Sequence, residues 1–322
     1  MRGLKKGIFP AVLAALVLCS GTAMAAYPAH SINIVVPFSA GGSTDIVARI
    51  LARDLATAMG QPVVVENKPG ASGNIAGDYV ARSSPDGYTL FMGTSTSIAN
   101  IALFKKLPFD ILADFIPISQ IANTPLVLVA NNDLPVDDVA GLIKLAKEKP
   151  GKLNYGSGGP GTSQHLGGVM FSKMANVEMT HIPYKGAAPA MTDLMGGNIQ
   201  IMFAPLIDAL TFIRGGKVKA LGITTAKAAP QVPDVPPIAK TLPGFEIATW
   251  NAVFVPAGTP QAVVDTLSRS ITAVTRSPEM HKAIENQGSE AIGSTPKEFK
   301  AFLDRETVLW KGLVKSSGAS AD

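Results

Sequence analysis

Short apolar runs alternate with amphipathic stretches along most of this chain, and glycine-containing turns join them. Residues 32–36 form a β-branched run typical of a buried strand, and residues 46–56 carry their apolar side chains on one helical face. Further strands are predicted at 62–66, 88–92, 114–122, 125–130, 153–155, 179–183, 199–203, 218–224 and 251–256. The alternation predicts an α/β protein with mainly parallel sheets whose faces are covered by helices.

Two glycine-rich turns, each between a strand and a helix, are the main candidates for a functional site. The first spans residues 37–45 and contains Gly41 and Gly42, and the second spans residues 156–165. A helix N-terminus at the carboxyl end of a strand presents unpaired N–H groups and the positive end of the helix dipole, which favours anions. Neither turn contains lysine or arginine, so an anion held there would depend on N–H and O–H donors. We expect the two turns to face each other.

The chain is predicted to cross twice between two lobes. Asn123 and Thr124 separate two extended segments and mark the first crossing, and residues 245–250 mark the second. The proline-studded stretch 230–243 is too poor in N–H donors for a helix or a central strand, so we interpret it as the return path. The predicted lobes are residues 26–123 with 249–322, and residues 124–248. Helices that would pack back on the first lobe are predicted at 261–275, 279–287 and 297–314.

Residues 1–25 are predicted to be a cleavable signal peptide. They have a basic start, an apolar run at 8–18 and small residues before the expected cleavage site. A retained membrane anchor is disfavoured, because a span needs roughly 20 apolar residues. The chain's one cysteine, Cys19, lies in this leader, so the mature protein would have no disulfide. Leu18 in front of it disfavours a lipoprotein site.

The charge of the chain belongs largely to its leader. The whole chain has a formal net charge of +4, but without Arg2, Lys5 and Lys6 there remain 25 basic residues against 24 acidic ones, a net charge of +1. A nearly neutral surface without a basic cluster gives no electrostatic footprint for nucleic acid. Four histidines, none spaced i, i+4, give no support for a metal site. We therefore expect a soluble, exported protein without nucleic-acid partner, metal or cofactor.

Seven short strings, spread in order along the chain, carry a family resemblance. They are Pro37-Phe38 with Gly41-Gly42 and Asp45, Glu66-Asn67 with residues 69–71, residues 85–90, residues 114–118, Gly156-Ser157 with His165-Leu166, residues 183–186 and residues 233–236. Together they resemble the Bug family, the periplasmic solute receptors of tripartite tricarboxylate transporters. Residues 237–240, in the predicted return path, depart from the family's pattern. The resemblance implies a type II periplasmic-binding-protein fold, whose two lobes, joined by a hinge of two crossings, close on a small carboxylate.

The resemblance also implies a set of binding residues. One carboxylate would be gripped by backbone N–H groups, small hydroxyls and bound water from Phe38, Ser39, Gly41, Gly42 and Asp45 on one side and Ser157, Gly159, Thr162, Ser163 and His165 on the other. The far end of the ligand would meet Thr94, Ser95, Tyr184, Phe203 or Asp208. The ligand would be a di- or tricarboxylate, an aromatic acid or an acidic amino acid. The receptor, expected to be a monomer, would deliver it to membrane permease subunits.

Several of these residues also have a purely structural interpretation. Asp45 is favoured as a helix N-cap or as a residue that supports the contacts from behind, because a carboxylate repels an anionic ligand. His165 lies in the first turn of its helix, where a structural histidine is at least as common as a contact. Asp208 would cap the helix after Pro205. For Lys185, next to Tyr184, a solvated side chain is favoured over a cation that contacts the ligand.

Enzymatic interpretations find less support in the sequence. Residues 156–161 match G-x-G-x-x-G, but the acidic residue of a dinucleotide site is missing from the end of the following strand. The G-x-S-x-G string of a serine hydrolase does not occur. The sequence thus favours a non-enzymatic receptor over two alternatives, an exported enzyme acting on small organic acids and a ligand sensor for a signalling partner.

Overall fold

The structure is a computed structural model that describes residues 27–319, and the predicted signal peptide lies outside the described residues. Besides two short 3₁₀ helices, Ala71–Gly73 and Ile238–Lys240, ten strands and ten α-helices occur in the described part of the chain. In chain order they are β1 (Ile32–Val36), α1 (Ser43–Met59), β2 (Val63–Asn67), α2 (Asn74–Ala81), β3 (Thr89–Thr94), α3 (Ser95–Leu103), β4 (Phe115–Ala130), α4 (Val139–Glu148), β5 (Asn154–Ser157), α5 (Ser163–Ala175), β6 (Thr180–Pro183), α6 (Ala187–Met195), β7 (Ile201–Pro205), α7 (Leu206–Arg214), β8 (Lys219–Ile223), β9 (Ala248–Pro256), α8 (Gln261–Thr275), α9 (Pro278–Glu285), β10 (Glu290–Ala291) and α10 (Pro296–Ser317).

The strands lie in the order β2-β1-β3-β9-β4-β7-β5-β6, with β8 and β10 also paired to β4. β1 pairs in parallel with β2 and β3, and β5 pairs in parallel with β6 and β7. Between these groups, β9 and β4 run antiparallel to each other and to their outer neighbours. We call the part around β1–β3 the first lobe and the part around β5–β7 the second lobe. The predicted two-lobed α/β fold is confirmed.

β4 passes through both lobes as one strand, where the sequence predicted two segments. Its residues 115–125 pair with β9, and residues 126–130 pair with β7. At the junction, the Thr124 hydroxyl lies 2.8 Å from that of Ser289, and the Leu126 N–H donates to the Thr224 hydroxyl at 2.9 Å. Polar side chains from other elements thus support an extended backbone where Asn123 and Thr124 predicted a break, and that prediction was wrong.

Three clusters of buried side chains hold the sheets and helices together. In the first lobe, Leu51 of α1 and Leu267 of α8 belong to one cluster. In the second lobe, Leu194 of α6 and Leu210 of α7 belong to another. The third cluster includes residues of both lobes and Trp250. As predicted, the C-terminal helices return to the first lobe, because α8 and α9 pack on α1, and α10 packs on α3; α10 also contacts α5 of the second lobe.

Two tryptophans share one carboxylate at α10. The indole N–H groups of Trp250 and Trp310 each donate to Glu306 Oε2 at 2.7 Å. Both tryptophans are only 1% exposed, so water does not reach these N–H groups in place of the carboxylate. The two hydrogen bonds therefore attach α10, through Glu306, to Trp250 near the start of β9.

We expect Glu306→Ala to destabilise the fold, because it leaves two buried N–H groups without an acceptor. Each such group costs about 1–3 kcal/mol, so the free energy of unfolding should fall by roughly 2–6 kcal/mol in a denaturant titration. Glu306→Gln keeps an acceptor oxygen and should lose clearly less. Equal losses in the two variants, or none in either, would contradict a shared acceptor.

Candidate functional site

A small chamber of about 30 Å³ lies between the two lobes. By this measure it has room for about two water molecules, or for the two oxygens of one carboxylate. We call it the inner chamber. Its walls are small or hydroxyl-bearing residues from both lobes with one aromatic ring: Phe38, Gly42, Ser43, Thr44, Thr94, Thr96, Gly158, Thr162, Ser163, Gln164, Ala187, Pro205 and Thr249.

Five helix N-termini converge on this chamber. The N-cap residues of α1, α3, α5 and α7, which are Gly42, Thr94, Thr162 and Pro205, line it, and so does Ala187, the first residue of α6. These helices are 9 to 17 residues long, so each carries a developed dipole whose positive end faces the chamber. Among the lining residues there is no lysine, arginine, histidine, aspartate or glutamate. The chamber therefore has a positive potential that comes from the main chain.

The N-termini of α1, α6 and α7 lack a side-chain cap, whereas those of α3 and α5 have one. Gly42, Gly186 and Pro205 precede the three uncapped helices. The Thr94 hydroxyl accepts from the Thr96 N–H at 3.3 Å, and the Thr162 hydroxyl caps α5 in a similar way. Uncapped N–H groups at a helix start need an acceptor from elsewhere. An anion in the inner chamber would supply one.

The first turn is braced from behind by Asp45. Its Oδ2 accepts from the Gly41 N–H at 2.9 Å and from Arg49 Nε at 2.8 Å, and its Oδ1 accepts from Asn67 Nδ2 at 3.0 Å. Burial of this carboxyl opposes ionisation, but the hydrogen bonds from Arg49, Gly41 and Asn67 outweigh it and lower the pKa of Asp45. The carboxylate is thus fully engaged in shaping the turn. Asp45 and Gly41 do not line the chamber.

The second turn is braced by two stacked histidines. His181 Nε2 lies 2.6 Å from the Ser157 hydroxyl, and Nδ1 of His165 accepts from the Gly161 N–H at 3.0 Å. The imidazole rings are 4.0 Å apart. Burial lowers the pKa of His165 to about 4 and that of His181 to about 3, the latter helped by the neighbouring His165. Both rings are neutral near pH 7 and act as hydrogen-bonding supports.

A larger space of about 330 Å³ adjoins the inner chamber. We call it the outer chamber, and Phe38 and Gly158 line both. Its other walls are Gly70, Ala71, Ser72, Gly73, Phe104, Gly159, Pro160, Tyr184 and Lys185. The Tyr184 hydroxyl donates to Asp193 at 2.6 Å, and Lys185 is the one charged residue in this lining. The chamber combines aromatic rings with a single cation.

Seven of the fifteen predicted binding residues line a chamber. They are Phe38, Gly42, Thr94, Thr162 and Ser163 in the inner chamber and Gly159 and Tyr184 in the outer one. The other eight do not: Ser39, Gly41, Asp45, Ser95, Ser157, His165, Phe203 and Asp208.

The side-chain partners of four residues explain why they lie outside the chambers. The Ser39 hydroxyl donates across the cleft to the Lys185 carbonyl at 2.9 Å, and that of Ser95 lies 2.9 Å from the Thr249 hydroxyl. Ser157 is fully buried, and its hydroxyl donates to the Gly159 carbonyl at 3.1 Å. Phe203 lies in the core of the second lobe, with its ring 5.6 Å from that of Phe171. These side chains are positioned to support the cleft.

Asp208, in the first turn of α7, differs from the predicted binding residues just described, because its buried side chain has no satisfactory hydrogen-bond partner. Both of its carboxyl oxygens are buried and have no hydrogen-bond partner. Burial raises the pKa of Asp208 to about 7, and the N–H and hydroxyl of Ser43 offset only part of that effect. The predicted helix cap is not made, because the N-terminus of α7 has no side-chain cap.

Several lining residues were missed by the sequence analysis. Thr44, Thr96 and Gln164 each lie within the first two residues of a helix, and Thr249 lies at the start of β9. Proximity to a helix start was the available signal for the first three. Thr249 had none, because only the pairing of β9 between β3 and β4 brings it to the cleft.

Within residues 27–319 no group of acidic, histidine or cysteine side chains could hold a metal ion. In the same range no helix is long and apolar enough to cross a bilayer.

Comparison with known proteins agrees with this architecture. Residues 47–319 match the sequence profile described as tripartite tricarboxylate transporter family receptor. Protein BugT of Bordetella pertussis is 36% identical over 296 residues, which cover 91% of each chain. The structure titled "R. palustris Rpa4515 with adipate" is 35% identical with a TM-score of 0.89, covering 91% of this chain and 99% of the other.

A further solved structure, MatC of Rhodopseudomonas palustris with bound malate, is 30% identical with a TM-score of 0.85 over 89% of this chain and all of the other. The extent and level of these similarities confirm the resemblance that the sequence motifs indicated. The chain belongs to the tripartite tricarboxylate transporter receptor family, which includes the Bug proteins.

Proposed function

We propose that this receptor captures a small carboxylate by seating one carboxylate group in the inner chamber. The observation that carries the proposal is the convergence of five helix N-termini on a chamber whose lining contains no charged side chain. A group placed there gains from the positive ends of the dipoles and can accept from uncapped N–H groups. A cationic group would gain neither, and a neutral acceptor would gain the hydrogen bonds without the attraction of a charge to the dipoles. Phe38, Gly42, Thr94, Thr162 and Ser163 are the proposed contacts.

The body of the ligand would occupy the outer chamber. Phe38, Phe104 and Tyr184 offer apolar surface there, and Lys185 offers one cation for a distal acidic group. The adipate and malate of the two related structures are both dicarboxylates, which supports this arrangement. We therefore place di- and tricarboxylates first among the ligands to test, followed by aromatic acids and acidic amino acids.

The lobes would close on the ligand about a hinge. We propose lobe boundaries at 123/124 and 248/249, so that the crossings are the middle of β4 and the start of β9. β4 continues through the boundary, which favours bending of an intact strand over unfolding of a linker. Ser39 and Lys185, whose contact crosses the cleft, would separate on opening.

The receptor would act in the periplasm and pass its ligand to permease subunits. The predicted leader and the family to which the chain belongs support this role. A non-enzymatic role fits the site, because the Ser157 hydroxyl is fully buried and held by His181 and Gly159. A catalytic serine would need a hydroxyl that can reach the bound ligand, and the Ser157 hydroxyl is not placed to do so.

A thermal-shift screen tests the function directly. We expect melting to rise with at least one di- or tricarboxylate, because a ligand that binds only the folded state stabilises it. The corresponding amides, which lack the charge, should have no effect. Recovery of the ligand unchanged after prolonged incubation would support a receptor, and its conversion would favour an exported enzyme.

Gly42→Val should weaken carboxylate binding by at least about tenfold, or about 1.4 kcal/mol, measured by calorimetry. The added side chain would fill part of the inner chamber. Gly42 has φ of −87° and an added Cβ would come no closer than 3.6 Å to its neighbours, so the fold should tolerate the change.

Two further variants serve as controls for the Gly42→Val measurement. Gly312→Val, in an exposed part of α10 with open space around it, should leave affinity unchanged. Lys185→Ala should weaken binding less than Gly42→Val. If Lys185→Ala abolished binding while Gly42→Val bound like the parent, the carboxylate would not be in the inner chamber.

Closure should be visible by small-angle scattering. Adding a saturating carboxylate should reduce the radius of gyration, because the lobes approach each other about the hinge. Superposable curves with and without a ligand whose binding has been measured would refute the hinge.

A further inference from the structure

Asp208 is a buried carboxyl group without a partner at the contact between the lobes. Its two oxygens are buried and make no hydrogen bond of good geometry, although the Ser43 N–H and hydroxyl approach them and the residue as a whole is half-buried. It belongs to the second lobe, three residues after Pro205, which lines the inner chamber. An ionised carboxylate without partners is costly to bury.

The group that faces Asp208 comes from the opposite lobe. The N–H and hydroxyl of Ser43, the first residue of α1, are the polar groups that act on its carboxyl. Ser43 also lines the inner chamber. The carboxyl and the proposed ligand anion therefore depend on the same helix N-terminus. Two negative charges there would repel each other.

Among residues 27–319, no cation near Asp208 compensates for its negative charge. β4 and β7, which pack against α7, contain no charged residue. On α1, Asp45 and Arg49 pair with each other. Asp193 of α6 accepts from Tyr184, and Arg214 lies at the far end of α7.

The remaining contact is the loop after α9, where an added Cβ at Gly288 would meet Leu206. The acids that flank this loop, Glu285 and Glu290, are exposed. Apart from burial, only Ser43 shifts the pKa of Asp208. The neutral form of this carboxyl is therefore favoured where it is buried.

We propose that Asp208 is the proton-binding group of the cleft: when the lobes close on an anionic ligand, the receptor takes up one proton there, so that anion and proton are captured together. This inference rests on the proposed carboxylate-binding function. In the open form Asp208 no longer faces Ser43, regains water and ionises. On closure a proton from solvent neutralises it, which removes the repulsion toward the ligand.

The sign of the pH dependence follows from the raised pKa. The closed form holds the proton below pH of about 7, and the open form holds it only below about 4, near the ordinary value of 3.8. Closure therefore becomes more favourable as pH falls from 8 toward 5. Affinity should be about tenfold tighter at pH 6 than at pH 8.

Calorimetry with adipate, in buffers of different ionisation enthalpy, measures the proton directly. The wild type should take up about 0.9 protons per ligand at pH 6 and about 0.1 at pH 8. Asp208→Asn, which keeps the shape without the titrating group, should show no uptake beyond the ligand's own and no tenfold change. Asp138→Asn, at the N-cap of α4, should behave like the wild type.

A wild type without uptake, or an Asp208→Asn variant with the same uptake, would overturn the inference. A role of Asp208 in stability alone predicts an equal change of affinity at both pH values. If carboxylates bind without an Asp208-dependent proton, the proposed function stands and this inference fails.

Scattering of the ligand-free protein gives a readout that needs no ligand. The wild type should be more compact at pH 5.5 than at pH 8, and Asp208→Asn should be equally compact at both. Equal pH responses of the two proteins would overturn the inference. If neither adipate nor malate binds but compaction depends on Asp208, the carboxylate function fails while the proton site remains.

Discussion

The cleft is dominated by one electrostatic constraint: five helices point their positive ends at the same small space. α1 and α3 bring theirs from the first lobe, and α5, α6 and α7 from the second. Closure without an anion would bring like ends together and leave the uncapped N–H groups without acceptors. A bound anion would thus become part of the structure that holds the lobes together, and Asp208 lies in the first turn of one of these helices.

The supports of this space carry no net charge. His165 and His181 are stacked neutral rings, and Asp45 is matched by Arg49. An imidazolium at either histidine would add to a field that is already positive, in a site that disfavours charge. The residues of the second turn are therefore fixed by neutral hydrogen bonds, which hold Gly159 and Gly161 in place without competing for the ligand. This explains how a site for anions can contain so few ionised side chains.

The sequence was sufficient for the fold and the two turns, because hydrophobic periodicity and glycine placement are local signals. It was insufficient for the direction of single side chains. Phe203 lies on the face of β7 that packs on Phe171, and Ser157 at the end of β5 points to His181 instead of the cleft. The continuity of β4 depended on Ser289 and Thr224, which are distant in sequence.

Recognition through main-chain N–H groups has a consequence for how such a receptor can diverge. A side-chain donor is lost by a single substitution, whereas the N–H groups at the starts of α1, α6 and α7 are present whatever residue occupies each position, proline excepted. Mutations could therefore accumulate around the outer chamber, where Phe104, Tyr184 and Lys185 would contact the rest of a ligand, while binding of its charged end would be inherited unchanged. New ligand preferences can arise in such a lineage without passing through a form that binds nothing.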